Sequence, residues 1–90
     1  MSLTKEQELF TITMEECGEL IQACSKMLRG GEEYEQENLK RLLEEVGDVA
    51  CMIDLLIKKE LVSPRKIEKR KLEKLQKLRQ YSKLLDSDED

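Results

Sequence analysis

Apolar residues recur every three or four positions along most of this chain, which is the spacing of one face of an α-helix. The pattern predicts three helices, from about Thr4 to Arg29, from about Glu35 to Glu60 and from Ser63 to Lys83. No run of alternating apolar and polar residues typical of a strand interrupts them. We therefore predict an all-α fold with three main helices per chain.

Local sequence signals support these helix boundaries. Thr4, three residues before Gln7, offers a capping box. The Gly30-Gly31 pair favours the end of the first helix, and Ser63 followed by Pro64 is a typical N-cap and first helical residue. The first and third helices thus have starts that are indicated independently of their apolar patterns.

The apolar arcs of the first two helices are broad. Glu16 falls within the first arc, Glu19 lies at its margin and Glu45 borders the second arc, while Asp48 lies farther round. So much apolar surface in a short chain implies a partner, so we predict an oligomer of the four-helix-bundle type, a dimer or a tetramer. The predicted core residues of these two helices are Leu9, Phe10, Ile12, Met14, Cys17, Leu20, Ile21, Ala23, Cys24, Met27, Leu28, Leu39, Leu42, Leu43, Val46, Val49, Ala50, Ile53, Leu56 and Ile57.

Length and composition limit the class of protein. The 90 residues suit a single helical domain over residues 1–85, followed by an acidic tail at 86–90 that we expect to be disordered. The sequence has no apolar run of membrane-spanning length and no signal peptide, which favours a cytoplasmic protein. The spacing of Cys17, Cys24 and Cys51 fits neither a disulfide framework nor a zinc site, so we interpret them as buried, reduced core residues.

Charge is strongly segregated along the chain. Residues 1–60 carry seven basic and fourteen acidic residues, whereas residues 61–85 carry nine basic and two acidic ones. This separation could hold a metal ion beside the phosphates of a ligand, or it could simply let an acidic and a basic helix attract each other. The composition alone leaves both possibilities open.

A short acidic pattern occurs twice, as EECGEL at residues 15–20 and EEVGDV at residues 44–49. Each copy places a glycine inside a helix, which costs about 1 kcal/mol relative to alanine, and groups carboxylates that repel one another. A divalent cation held between two closely approaching helices would offset both costs, with Gly18 and Gly47 thinning the helix walls. The repeat therefore predicts a metal site.

The spacing of the acids brings four of them together. Glu16 and Glu19 are three residues apart, as are Glu45 and Asp48, so each pair shares a helix face. The two motifs lie at equal distances from the turn near residue 32, and an antiparallel hairpin would bring them level. The alternative is a solvated or salt-bridged helix face.

The absence of histidine leaves oxygen ligands, which suit Mg²⁺ or Mn²⁺. On the third helix Lys71 and Lys74 fall within the apolar stripe, and inward-facing lysines there would suit phosphate groups. Alternatively they pair with acids of a neighbouring subunit or extend from the edge of the core. The third-helix stripe comprises Ile67, Leu72, Leu75, Leu78, Tyr81 and Leu85.

The two acidic motifs, with a third helix containing Lys-x-x-Lys, resemble the MazG-like all-α nucleoside triphosphate pyrophosphohydrolases over roughly residues 10–75. The resemblance implies that Glu16, Glu19, Glu45 and Asp48 bind Mg²⁺. It also implies cleavage of a ribo- or deoxynucleoside triphosphate, or a related nucleotide, to a monophosphate and pyrophosphate. Lys71 and Lys74 carry over less directly as phosphate-binding residues.

Two further carboxylates, Glu15 and Glu44, are candidates for a general base or a water-positioning residue, or are solvated neighbours of the metal ligands. The rival hypothesis is a non-enzymatic helical protein whose acidic hairpin and basic third helix mediate oligomerisation or bind a partner. The net charge of −4 and the lack of a recognition motif or stacking aromatics argue against nucleic acid as that partner.

Overall fold

The computed structural model describes residues 2–86, and within that range every regular element is helical. The prediction of an all-α chain with three main helices is confirmed. The elements are α1 (Lys5–Arg29), a 3₁₀ turn (Glu32–Tyr34), α2 (Glu35–Lys58) and α3 (Pro64–Tyr81). Residue 86 has no regular structure, and residues 87–90 of the predicted disordered tail lie outside the described residues.

The predicted start and end of α1 are confirmed. The Thr4 side chain accepts a hydrogen bond from the Gln7 backbone N–H at 3.0 Å, and the Gln7 side chain accepts one from the Thr4 N–H at 2.9 Å. At the other end, Asn38 of α2 donates to the Lys26 carbonyl at 3.2 Å. A side chain at Gly30 would meet the Asn38 amide, since a Cβ built there lies 2.5 Å from its Nδ2. The same Cβ would lie 2.9 Å from the Lys26 carbonyl oxygen, so a larger residue at position 30 would displace the Asn38 amide and crowd the last turn of α1.

The other two helices are each two residues shorter than predicted at their C-terminal ends. After α2 ends at Lys58, Glu60 adopts a positive φ of 60°, which cannot continue a right-handed helix. The Ser63 hydroxyl accepts from the Lys66 N–H at 3.3 Å and Pro64 begins α3, as predicted. The extended backbone of Ser82 ends α3. The chain divides into two compact units, with the boundary after Lys59.

In the first unit, α1 and α2 pack as an antiparallel hairpin. The residues buried or half-buried between them, which we call the seam, recur at alternating steps of three and four residues. Only Leu9, Ala23 and Met52 are buried apolar side chains in the described chain. The seam consists of Leu9, Thr13, Glu16, Leu20, Ala23 and Met27 on α1 and Asn38, Leu42, Glu45, Val49, Met52 and Leu56 on α2.

A second apolar stripe lies one residue after each seam position, about 100° round each helix. Because the helices are antiparallel, both stripes turn toward the same side of the hairpin, and we call this side the apolar face. Ile21, Leu28 and Leu43 on it are at least 70% exposed. The apolar face comprises Phe10, Met14, Cys17, Ile21, Cys24 and Leu28 on α1 and Leu39, Leu43, Val46, Ala50, Ile53 and Ile57 on α2.

The predicted core is therefore only partly correct for the single chain. A two-helix hairpin buries one stripe per helix, and the broad arcs contain two. The prediction of buried cysteines is also wrong for the single chain: Cys17 and Cys24 lie on the apolar face, Cys51 precedes the seam position Met52, and all three are exposed. Burying the apolar face would need another layer of structure.

The predicted role of the helical glycines is also wrong within the described chain. A Cβ built at Gly18 or Gly47 has no atom within 4 Å, because both positions face away from the opposing helix. The glycines therefore do not permit the close approach of α1 and α2.

We accordingly expect Gly47→Ala to raise the free energy of unfolding by up to about 1 kcal/mol, the difference in helix propensity. Urea denaturation of the variant and the wild type measures this directly. A loss of stability would instead show that another subunit packs against Gly47.

Candidate metal centre

Two glutamates occupy seam positions that would ordinarily be apolar. Glu16 on α1 is half-buried, and Glu45 on α2 is only 7% exposed, the most buried charged residue in the described chain. Removing a carboxylate from water is costly unless a cation or hydrogen-bond donors compensate. The middle of the hairpin is thus a place where a positive charge is needed.

Three of the four predicted ligands converge there. One carboxylate oxygen each from Glu16, Glu45 and Asp48 lies within 4.8 Å of the others. Oxygens bound to one Mg²⁺ at about 2.1 Å lie no more than about 4.2 Å apart. The 4.8 Å limit on the separations of the three oxygens is thus slightly larger than the spread of ligands on one ion, and exposed Asp48 leaves the cluster open to solvent.

The fourth predicted ligand, Glu19, lies outside this cluster because an arginine holds it. The Arg41 Nη2 donates to Glu19 Oε2 at 2.7 Å, and the Nε of the same side chain donates to Glu45 Oε2. Arg41 thereby connects the two helices and supplies the positive charge beside the buried Glu45 carboxylate. The salt-bridged alternative from the sequence thus describes part of this site.

The acidic environment changes the pKa of the Glu16 carboxyl. Burial, followed by the negative charges of Asp48, Glu45, Glu19 and Glu15, raises the pKa of the Glu16 carboxyl above 4.5. In the folded chain this group therefore resists ionisation, whereas a bound cation would favour its ionised form.

A pH-dependent stability difference should follow. A raised folded-state pKa means that Glu16 destabilises the fold as the pH rises from 4.5 through that raised value. In EDTA, we expect Glu16→Gln to melt higher than the wild type near neutral pH, with the gap closing below about pH 4.

Thermal melts over this pH range test the expectation. The matched control is Glu15→Gln, which removes an exposed carboxylate from the neighbouring position. A gap between Glu16→Gln and the wild type that does not change with pH would contradict the assignment.

The remaining predicted site residues lie outside the three-carboxylate cluster. Glu15 and Glu44 are exposed side chains of the hairpin. Lys71 and Lys74 belong to α3 and are both exposed, since α3 buries none of its residues in the single chain. Lys71 pairs with Glu68 of the same helix at 2.9 Å.

Arg41 is the site residue that the sequence analysis missed. Its spacing of four residues from Glu45 on one helix would have indicated an ion pair. The contact with Glu19, 22 positions away, depends on the hairpin register.

No family model, curated protein or solved structure matches this chain. None of the helices within residues 2–86 is both long enough and apolar enough to cross a membrane.

Proposed function

We propose that this protein is a Mg²⁺-dependent nucleoside triphosphate pyrophosphohydrolase of the MazG-like kind. The observation that carries the proposal is the convergence of Glu16, Glu45 and Asp48 from two successive helices. Here two of the three occupy seam positions: Arg41 already pairs with Glu45, whereas the half-buried Glu16 has no ion-pair partner within residues 2–86.

The donor set fits a hard divalent cation. All three groups are carboxylates, and Glu19 is available as a fourth if Arg41 releases it, so Mg²⁺ is the expected ion and Mn²⁺ a substitute. When bound, such an ion would neutralise triphosphate charge and acidify a water molecule.

The chain's own groups would perform the remaining tasks. Glu16, Glu45 and Asp48 would fix the position of the ion on the rigid hairpin. Glu15 and Glu44, which lie outside the cluster and are exposed, remain candidates for orienting the attacking water and accepting its proton. Lys71 and Lys74 remain the candidate phosphate-binding residues.

The proposal includes self-association into a bundle of the four-helix type. A contiguous exposed apolar face spans the length of both α1 and α2, and monomeric proteins rarely expose such a surface. A second copy is the occupant we propose, because an apolar hairpin face is complementary to its own two-fold image. The assembly would be a dimer or tetramer.

The same exposed surfaces favour one alternative, a non-enzymatic interaction protein. Its partner would cover the apolar face or pair with the basic side chains of α3. In that case the Arg41 ion pairs would be structural and divalent cations would not change stability.

A product analysis distinguishes the two functions. Pyrophosphate and orthophosphate release should be measured from a panel of ribo- and deoxynucleoside triphosphates, with Mg²⁺ and with EDTA. Metal-dependent formation of monophosphate and pyrophosphate is the expected result. No turnover of any triphosphate by the folded protein, together with no effect of Mg²⁺ on its melting temperature, would refute the enzyme proposal and favour the interaction protein.

A further inference from the structure

Arg41 supplies the positive charge at the acidic cluster. Its guanidinium contacts one carboxylate from each helix, Glu19 of α1 and Glu45 of α2, and its side chain is 38% exposed. Both contacted acids belong to the repeated motifs. Glu16 and Asp48, the other two predicted ligands in those motifs, receive no side-chain hydrogen bond in the described part of the chain.

We propose that Arg41 is a built-in competitor for the divalent cation, which holds the metal-free hairpin together and is displaced when the ion binds. This inference rests on the proposed metal site and concerns its regulation. It predicts that the affinity for metal is set by an exchange of cations rather than by the carboxylates alone.

The geometry supports exchange in three ways. The Arg41 Nη2 holds Glu19 at 2.7 Å, away from the other three carboxylates, so four-carboxylate coordination requires this contact to break. The Nε contact occupies Oε2 of Glu45, which leaves that residue one free oxygen for an ion. The exposure of the arginine side chain gives the released guanidinium a path into water.

The chemistry of the guanidinium and of the divalent ion explains why the ion would displace Arg41. A guanidinium stays protonated at all ordinary pH values, and its acidic partners raise the pKa of Arg41 further. It therefore cannot leave by losing a proton, and only another cation can replace it. A divalent ion placed among three or four carboxylates interacts with all of them, whereas the guanidinium contacts two.

Removing the competitor should tighten metal binding. We expect Arg41→Met to lower the Kd for Mn²⁺ about tenfold, measured by electron paramagnetic resonance of free Mn²⁺, with Mg²⁺ in competition. Met keeps the aliphatic bulk and helix propensity of the position. In EDTA the variant should melt lower than the wild type, because the carboxylates then repel without a counter-charge.

Lys40→Met is the matched control. It removes one positive charge from the preceding residue, which is exposed and makes no side-chain ion pair within residues 2–86. We expect less than about a twofold change in Kd, because exposed charges at a distance are screened by salt. A similar tightening in both variants would mean that only overall charge matters, and the competitor role would be rejected.

Two more variants test the competitor role even if Arg41→Met does not fold, and separate it from the metal site itself. Arg41→Lys retains the charge but lacks the two-pronged donor, so it should give an intermediate Kd even if Arg41→Met does not fold. Glu45→Gln should abolish binding. Wild-type binding that depends on Glu45 but does not tighten in either Arg41 variant would overturn this inference alone. Absence of Mn²⁺ binding in the wild type would overturn the metal site with it.

Discussion

Glu45→Gln is expected to lower kcat/KM for pyrophosphate release by about 1,000-fold or more, which corresponds to about 4 kcal/mol of transition-state stabilisation. Glu45 is the only buried acid in the described chain, and it lies in both the three-carboxylate cluster and the Arg41 contact. Glutamine has nearly the same shape but no charge, so the substitution removes a metal ligand without opening a cavity. Steady-state kinetics across a Mg²⁺ series measure the loss.

The controls distinguish a loss of catalysis from a loss of the folded structure. Glu37→Gln makes the same chemical change at an exposed position of α2 away from the cluster, and should leave kcat/KM within about twofold of the wild type. Circular dichroism should show that Glu45→Gln remains helical, and Mg²⁺ should no longer raise its melting temperature. Full activity in a folded Glu45→Gln variant would exclude the proposed ligand set.

The second large effect concerns assembly. Ile21→Glu should convert the protein to a monomer at concentrations where the wild type is assembled, weakening association at least about 100-fold, or about 3 kcal/mol. Ile21 is 70% exposed in the single chain, so glutamate there should affect an isolated hairpin little. In a two-fold interface the same substitution buries a charge from each copy in apolar surroundings.

Sedimentation velocity over a range of protein concentrations measures this shift. Gln22→Glu is the matched control, because it places the same charge one residue along α1, away from the apolar face. The wild-type melting temperature should also rise with protein concentration, as expected when folding and association are linked. An unchanged sedimentation coefficient for Ile21→Glu would show that the apolar face is not the interface.

Much of the fold could be predicted because its signals are local. The Thr4–Gln7 capping box and the Ser63-Pro64 start need only neighbouring residues, and both are confirmed. The C-terminal ends of α2 and α3 were predicted too late, because apolar periodicity continues beyond the residues where the backbone leaves the helix. Nothing in the pattern itself marks the positive φ of Glu60.

The core was harder to predict because each broad arc contains two stripes. On a helix wheel, the seam and the apolar face merge into one apolar arc. The centre of that arc lies between the two stripes, so it does not point directly at the opposing helix. This displacement placed Glu45 at the border of the predicted core, although it lies within the seam and is almost completely buried. Dividing the arc correctly requires the position of α1 relative to α2.

The site was predicted to the extent that it depends on helical spacing. Glu16, Glu45 and Asp48 converge as their spacing and the hairpin symmetry predicted. The position of Glu19 could not be predicted in this way, because Arg41 competes for its carboxylate across the hairpin. A helix wheel places side chains by direction alone and does not represent such competition between neighbouring charges.

The acidic cluster and the apolar face lie on opposite sides of the hairpin. Asp48, at the solvent-exposed edge of the acidic cluster, precedes the seam position Val49, whereas the apolar face follows the seam by one residue. In an assembly built through the apolar face, the acidic clusters of two copies would open outward, away from each other. Each copy would then fill its site without sensing the other, and metal titrations would follow a simple hyperbola with no cooperativity.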